Sequence, residues 1–388
     1  MKMRPSLFLA LALLALPCLR DFLAAQQPST TKPMTTIKVQ AREVLLPVTV
    51  IDKHGALVTN LTAKDFTLTE DGRPQVIKSF TTQSNLPFRL GLLVDTSRSA
   101  YSAMDSERKA AEKFVELMLP ADPKAAARGD QAFVIHFDRE VELLEDFTNA
   151  RDKLDHEIDA MTPTSRERSS QGPESGGDDH GYGDHGGGHG GGTQLYDAIY
   201  LASDELMKPK DGRKALVVFS DGVDSGSKET LNDAIDAADR AGVEVFTIYF
   251  KGEEGRGGNG FPGVGGHNGG GGGGYPGGGY PGGGGGWPGG GGGGRHPGGK
   301  NAPQLDGKKI MQEIASRTGG QFFEAKKKEN LEDIYGLIAG ALRQQYLLTY
   351  TPDQVDTEGE FHKIVLKTGL PDLTVVTREG YYPPSSDK

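Results

Sequence analysis

The sequence predicts an α/β protein: a doubly wound, mostly parallel sheet flanked by β-rich segments. Three observations carry this. Apolar runs at 89–95, 131–138, 214–222 and 243–250 alternate with segments of helical period, the pattern of a parallel sheet wrapped by helices. Before residue 87 and after residue 345 the pattern is strand and turn without helices. At 388 residues the chain exceeds one average domain, so more than one unit is expected.

Taken in order, the elements begin with an export signal over 1–25. "MKMR" is a short basic head, "SLFLALALLALPCL" is an apolar core too short for a comfortable membrane span, and "FLAAQQ" offers cleavage near Ala25. A membrane anchor and lipidation at Cys18 are the alternatives. Cleavage removes the only cysteine, so stability is expected from apolar cores, with metal as a supplement, rather than from disulfides. A polar linker spans 26–35, and a β segment spans 36–86. In the latter, "VLLPVTVID" is a strand, and "FTLTEDGRPQVIKSF" reads as two strands about an Asp71-Gly72 turn.

The α/β unit covers 87–345. Its first strand leads into a helix over 104–119 with Met104, Ala111, Phe114, Leu117 and Met118 on the inner face. "QAFVIHFD" pairs with "EVELLEDF" as a hairpin. Helices follow at 150–161 and 194–207, then the strand "KALVVFSDG". A helix capped from Ser227 and closed by Gly242 precedes the strand 243–250. Helix 306–318, strand "GQFFEA" and helix 330–345 complete the unit. A second β segment, 346–382, and a tail, 383–388, end the chain. Each β flank is too short to bury a core alone, so the two are expected to form one split sandwich with the α/β unit inserted.

Two Gly-rich insertions, 169–192 and 251–300, hold most of the 57 glycines. Neither can bury enough apolar surface to offset its ordering entropy. Their GxGxxG matches are trivial in poly-Gly. His180, His185 and His189 read either as a transition-metal tract or as part of a solvated loop; the loop is favoured because they fit no structural zinc spacing. Phe261, Tyr275, Tyr280 and Trp287 are either contact points for partners or part of an inert spacer. The net charge of -10 argues against a nucleic-acid binder.

The chemistry gathers at strand ends. "LGLLVDTSRSAYS" climbs an apolar run to Asp95 and breaks into hydroxyls, and "VVFSDG" ends in Asp221. Open α/β sheets bind ligands outside the carboxyl ends of their strands, where the winding reverses. There Asp95, Ser97, Ser99 and Asp221 converge, with Thr193 at the start of the intervening helix. No GxxxxGK[ST] loop, first-turn glycine fingerprint or GxSxG elbow is present. Oxygen-only donors suit a hard cation such as Mg²⁺, with Mn²⁺ or Ca²⁺ as substitutes. Taken singly, Asp95 and Asp221 also suit ordinary helix caps.

Asp95-Thr96-Ser97-Arg98-Ser99, Thr193 in "GGTQLYDAI" and Asp221 in "VVFSDG" resemble the metal-ion-dependent adhesion site (MIDAS) of the von Willebrand factor A (VWA) domain. The resemblance covers roughly 88–345 outside the Gly-rich insertions. It implies that Ser97, Ser99 and Thr193 ligate the metal, while Asp95 and Asp221 hold its waters or orient the serines. The flanks resemble those of the secreted VWFA-related proteins of Acidobacteria. Arg98 departs from a neutral metal loop; it either points outward or attracts an acidic partner.

The expectation is an exported, Mg²⁺-dependent binding or adhesion module, not an enzyme, whose metal receives a partner's carboxylate. Its partner is a protein or other carboxylate-bearing ligand, neither nucleic acid nor membrane. The site is placed at a loop rim, outside the core. The rival is a metal-assisted hydrolase, which needs a base near a metal-bound water; His136 and Asp138 are the only candidates. A third reading is an envelope protein assembling through its Gly-rich segments.

Overall fold

The computed structural model describes residues 43–82, 85–119, 121, 127–162, 192–251, 306–326, 330–353 and 359–383. The expected signal peptide and linker, and almost all of both Gly-rich insertions and the tail, lie outside the described residues. Among the described residues no helix is long and apolar enough to cross a membrane.

The central sheet has six strands. β5 (Phe88–Asp95), β6 (Gln131–Phe137), β8 (Arg213–Ser220), β9 (Val243–Phe250) and β10 (Phe322–Ala325) are parallel, in the order β10-β9-β8-β5-β6, and β7 (Val141–Thr148) closes one edge antiparallel to β6. The inner strands are apolar on both faces, as strands covered on both sides must be. On one face Leu90, Leu92 and Val94 pack with α1 (Met104–Met118), α2 (Arg151–Ala160) and α6 (Leu331–Gln344). On the other, Leu93, Leu216 and Val218 pack with α3 (Leu195–Leu201), α4 (Leu231–Ala241) and α5 (Gly307–Thr318). Edge strand β7 carries half-exposed acids, which discourage further pairing. The winding reverses between β5 and β8, which are hydrogen-bonded neighbours from Phe88↔Arg213 to Val94↔Phe219.

Several elements differ from expectation for physical reasons. Leu117 is 39 % exposed. The inward stripe of α1 passes instead through Glu107, Ala111, Phe114 and Met118. Ser227 does not cap α4; Thr230 does, in a capping box with Asp233. The helix over 194–207 is α-helical only to Leu201 and continues as a π turn over Ala202–Met207. Gly242 closes α4 in the left-handed region at φ 67°, as read from the sequence.

Strands from both flanks share two antiparallel sheets. One has the order β13-β1-β11-β4 and the other β14-β12-β2-β3. They comprise β1 (Val44–Asp52), β2 (Phe66–Glu70), β3 (Arg73–Gln75) and β4 (Ile77–Thr81) before the α/β unit, and β11 (Tyr346–Tyr350), β12 (His362–Thr368), β13 (Leu373–Val376) and β14 (Gly380–Tyr381) after it. The strand expected after the Asp71-Gly72 turn is two: β3 pairs with β2, while β4 crosses to the other sheet and pairs with β11. Val76, at the crossing, is 80 % exposed. Leu46, Val48, Leu68, Leu348 and Tyr350 form one core from both flanks.

Two predictions follow from this packing. Because the strands that flank β1 are β11 and β13, both from beyond the α/β unit, a fragment of residues 43–86 is expected to be unfolded by far-UV circular dichroism; a cooperative melt from that fragment would contradict the shared core. The second concerns Glu107, wholly buried on α1, whose carboxylate accepts the Tyr335 hydroxyl of α6. Burial pushes its carboxyl up to about 8, against the opposing Tyr335 bond. A raised folded pKa means that the native state keeps the proton longer, so stability is highest below the unfolded value of 4.5 and declines as pH rises towards 8. Glu107→Gln keeps the hydrogen bond and removes the charge. It is expected to exceed the wild type at alkaline pH by roughly 1–3 kcal/mol in urea denaturation, and to differ little at acid pH.

Candidate functional site

β5 delivers Asp95 to the reversal point with its side chain wholly buried. A buried carboxylate must be hydrogen-bonded, and both oxygens are. Oδ1 accepts the Ser97 amide at 2.9 Å, and Oδ2 accepts the Ser220 hydroxyl at 2.7 Å. Ser220, the last residue of β8, in turn accepts the Gly222 amide at 3.0 Å. The hydroxyls of Ser97 and Ser99 lie 2.9 Å apart. Asp221 Oδ1 accepts the Val223 amide at 3.0 Å. Burial pushes the Asp95 carboxyl up to about 6; the hydrogen bonds from Ser97 and Ser220 oppose this, and the charge of Asp221 adds to it.

Four loops close into a ring around this point. The Thr96 amide donates to the Phe137 carbonyl at 3.0 Å, tying the loop after β5 to the end of β6. The Gln194 amide donates to the Asp138 carbonyl at 2.8 Å, tying the loop after β6 to the approach to α3. Thr193 and Ser225 pair in both directions: the Thr193 amide donates to Ser225 Oγ at 3.2 Å and the Ser225 amide to the Thr193 carbonyl at 3.1 Å. The Ser220–Asp95 bond returns the ring to β5. Further pins hold the loop after β8. Ser227 Oγ donates to Asp224 at 2.6 Å and accepts the Tyr196 and Asp197 amides, both at 3.1 Å. Asp197 takes the Lys228 and Glu229 amides. Gly222, at φ 72°, lies so close to Gly307 that a Cβ there would stand 2.2 Å from the Gly307 carbonyl oxygen, so the first turn of α5 also abuts Asp221.

The five residues read from the sequence therefore sit on loops that the structure joins. Asp95, Ser97, Ser99 and Asp221 cluster through the contacts above, and Thr193, largely buried, stands on the ring between Asp138 and Ser225. Asp95 is not a rim residue: it is part of the buried layer, because β5 runs its full length between β6 and β8. Arg98 is exposed. The two candidate bases are engaged in structure. His136 places Nδ1 3.2 Å from Thr96 Oγ1 and Nε2 3.0 Å from Glu142. The Asp138 side chain accepts the Arg139 and Glu140 amides. Ser220 and the pinning residues Asp224, Ser225 and Ser227 were missed by sequence reasoning. The only signal for them was the density of Ser and Asp in "FSDGVDSGS".

The donor set fits a hard cation. Three hydroxyls and two carboxylates are all oxygen, and the buried Asp95 carboxylate feels the charge of a second, Asp221.

Residues 90–223 match the family model of the von Willebrand factor type A domain. Solved structures with detectable similarity include proximal thread matrix protein 1 from the mussel byssus, at 12% identity over 66% of this chain and 48% of that one, with a TM-score of 0.39. They also include BatB from Bacteroides thetaiotaomicron, at 14% identity over 66% of this chain and 99% of that one, TM-score 0.38. A third is the vWF domain of the type V pili tip protein Mfa5 from Porphyromonas gingivalis, at 13% identity over 67% of this chain and 96% of that one, TM-score 0.41. The matched region is about half of the mussel protein's length. One structure of that mussel protein has a zinc-occupied MIDAS motif. No curated protein matches this sequence.

The geometry sets a test of the ring. Ser220→Ala removes a hydroxyl donor from a buried carboxylate, and bonds to charged groups contribute about 1.5–3 kcal/mol. That loss is expected in urea denaturation with EDTA above pH 7, where Asp95 is ionised, and a smaller one below pH 5, where it is protonated; a loss independent of pH would show that the bond does not serve the charge.

Proposed function

We propose that the loop ring at the carboxyl ends of β5 and β8 is a Mg²⁺-dependent protein-binding site. Ser97, Ser99 and Thr193 would hold the ion through hydroxyls, and Asp95 and Asp221 would hold its waters and orient the serines. Mn²⁺ or Ca²⁺ would substitute. The bound ion supplies a positive charge that three neutral hydroxyls leave largely unneutralised, which is what a partner's carboxylate needs. The observation that carries the reading is Asp95: wholly buried, fixed by Ser97 and Ser220, and under the charge of Asp221. Binding is preferred to hydrolysis because three neutral hydroxyls leave the ion's charge for a partner's anion and supply no base to a metal-bound water. The leader read over 1–25 would put this activity outside the cytoplasm.

Calorimetry with Mg²⁺ and Mn²⁺ tests the site. Because Asp95 is buried, Asp95→Asn is the conservative probe, with Ser99→Ala and Asp221→Ala beside it. Each is expected to weaken binding at least tenfold while the melt stays cooperative. Unchanged affinity in all three would overturn the assignment. Capture of a partner from cell-envelope extract is expected to be lost in EDTA and restored by Mg²⁺; EDTA-insensitive capture would argue for another surface.

A further inference from the structure

The β-rich half carries charged side chains where its own pattern calls for apolar ones. β2 turns Phe66, Leu68 and Glu70 inward, and β12 turns His362, Ile364 and Leu366 inward. The register pairs Leu68 with Leu366, Glu70 with Ile364, and His362 with Tyr381 of β14. The inner face thus ends in a carboxylate that is 1 % exposed and an imidazole that is 8 % exposed. Asp71 follows in the tight turn at φ 48°. One carboxylate oxygen each from Glu70 and Asp71, and a ring nitrogen of His362, all lie within 4.8 Å of one another. His362 Nδ1 stands 2.9 Å from Asp71 Oδ2 and 3.5 Å from Glu70 Oε1.

The two carboxylates are steadied by neighbours, as metal-ligating carboxylates characteristically are. The Lys363 amide donates to Asp71 Oδ1 at 2.9 Å, which leaves Oδ2 turned to His362. The Tyr381 ring stacks on His362 at 5.6 Å between centroids. The wholly buried Tyr350 hydroxyl faces Glu70. His362 Nε2 is buried without a partner, so the acid pair is what engages the ring. Charge makes the same point independently. Two carboxylates face one imidazole; that of Asp71 is exposed, and that of Glu70 is buried, where an ionised acid is costly unless its charge is met. Arg73 lends Asp71 some positive potential, yet it is drawn to Asp353 at 3.8 Å. A dication with a neutral imidazole brings the set to zero.

We propose that Glu70, Asp71 and His362 form a site for a divalent transition-metal ion of the zinc class, fastening the turn after β2 to the start of β12. An imidazole with two carboxylates suits zinc and disfavours Mg²⁺ or Ca²⁺, and three protein ligands leave a fourth position for water. On binding, an imidazolium gives its Nδ1 proton to solvent and keeps the one on Nε2, and the ion takes the vacated place between the neutral ring and the acids. This site is separate from the oxygen-only loop ring and does not depend on that reading.

The test is competition of Zn²⁺ against a chromophoric chelator, using the full chain. Asp95→Asn silences the loop ring, and His180→Ala, His185→Ala and His189→Ala remove the histidines of the first Gly-rich insertion. This background is expected to retain one tight zinc per chain. Asp71→Asn keeps the Lys363 amide contact and suits the left-handed turn, so the fold should survive; it is expected to weaken that zinc at least tenfold, as is His362→Gln. In the otherwise unaltered chain, Asp71→Asn should remove one zinc equivalent and abolish any zinc-dependent rise in melting temperature. A background chain that binds no zinc, or zinc affinity unmoved by both substitutions, would overturn the proposal.

Discussion

The hydrogen bond from Ser220 to Asp95 joins the two strands between which the winding of the sheet reverses. A carboxylate that ends a central strand is stripped of water on both faces of the sheet, and its charge must be met by donors from whatever lies beside it. Ser97 meets it from its own loop and Ser220 from the neighbouring strand. Once those donors are in place, the loop after β5 is committed to one course, and the hydroxyls of Ser97 and Ser99 are brought side by side. The remaining loops are then bonded to one another, through Phe137, Asp138, Thr193 and Ser225. The site is therefore preorganised by main-chain contacts that do not themselves belong to it.

The opposite end of the sheet shows a second use of buried charge. Arg213, at the start of β8, donates to the Leu342 carbonyl and to the Gln345 side chain, where α6 gives way to β11. Gln345 passes the contact on to Glu244 of β9 at 2.9 Å. Burial pushes the Glu244 carboxyl up to about 7, with Gln345, Arg213 and Arg378 opposing. Arg378, close to β14, donates to the Leu45 carbonyl of β1 at 2.9 Å. The chain leaves the α/β unit through this network and re-enters the sheets it began. Removing one member leaves others buried without partners, which is more damaging than the net value of any one bond.

Much of this was legible in the chain. Apolar runs of seven to nine residues, three of them reaching an acid at or near their end, marked the parallel strands, because such strands are covered on both faces and cannot alternate. The order of Asp95-Thr96-Ser97-Arg98-Ser99, Thr193 and Asp221 marked the loops that meet. What one-dimensional reading missed was decided by neighbours distant in sequence. Leu117 fits the helical stripe of α1, yet the stripe that meets α6 runs through Glu107, because Tyr335 waits there with a hydroxyl. Residues 73–81 look like one strand, but two sheets compete for them, and the chain crosses at Val76 to serve both.

The sequence by itself determined the fold class, the strand ends and the oxygen-bearing residues, since these depend on local period and residue type. Only the tertiary structure decided that Ser220 rather than a loop residue completes Asp95, that Asp95 is buried, and that Glu70 and His362 share the inner face of one sheet. Each rests on a contact across 120 residues or more, between Asp95 and Ser220 or between β2 and β12. Such contacts leave no periodic trace, because what selects them is the desolvation of a charge that becomes buried only when the distant strand arrives.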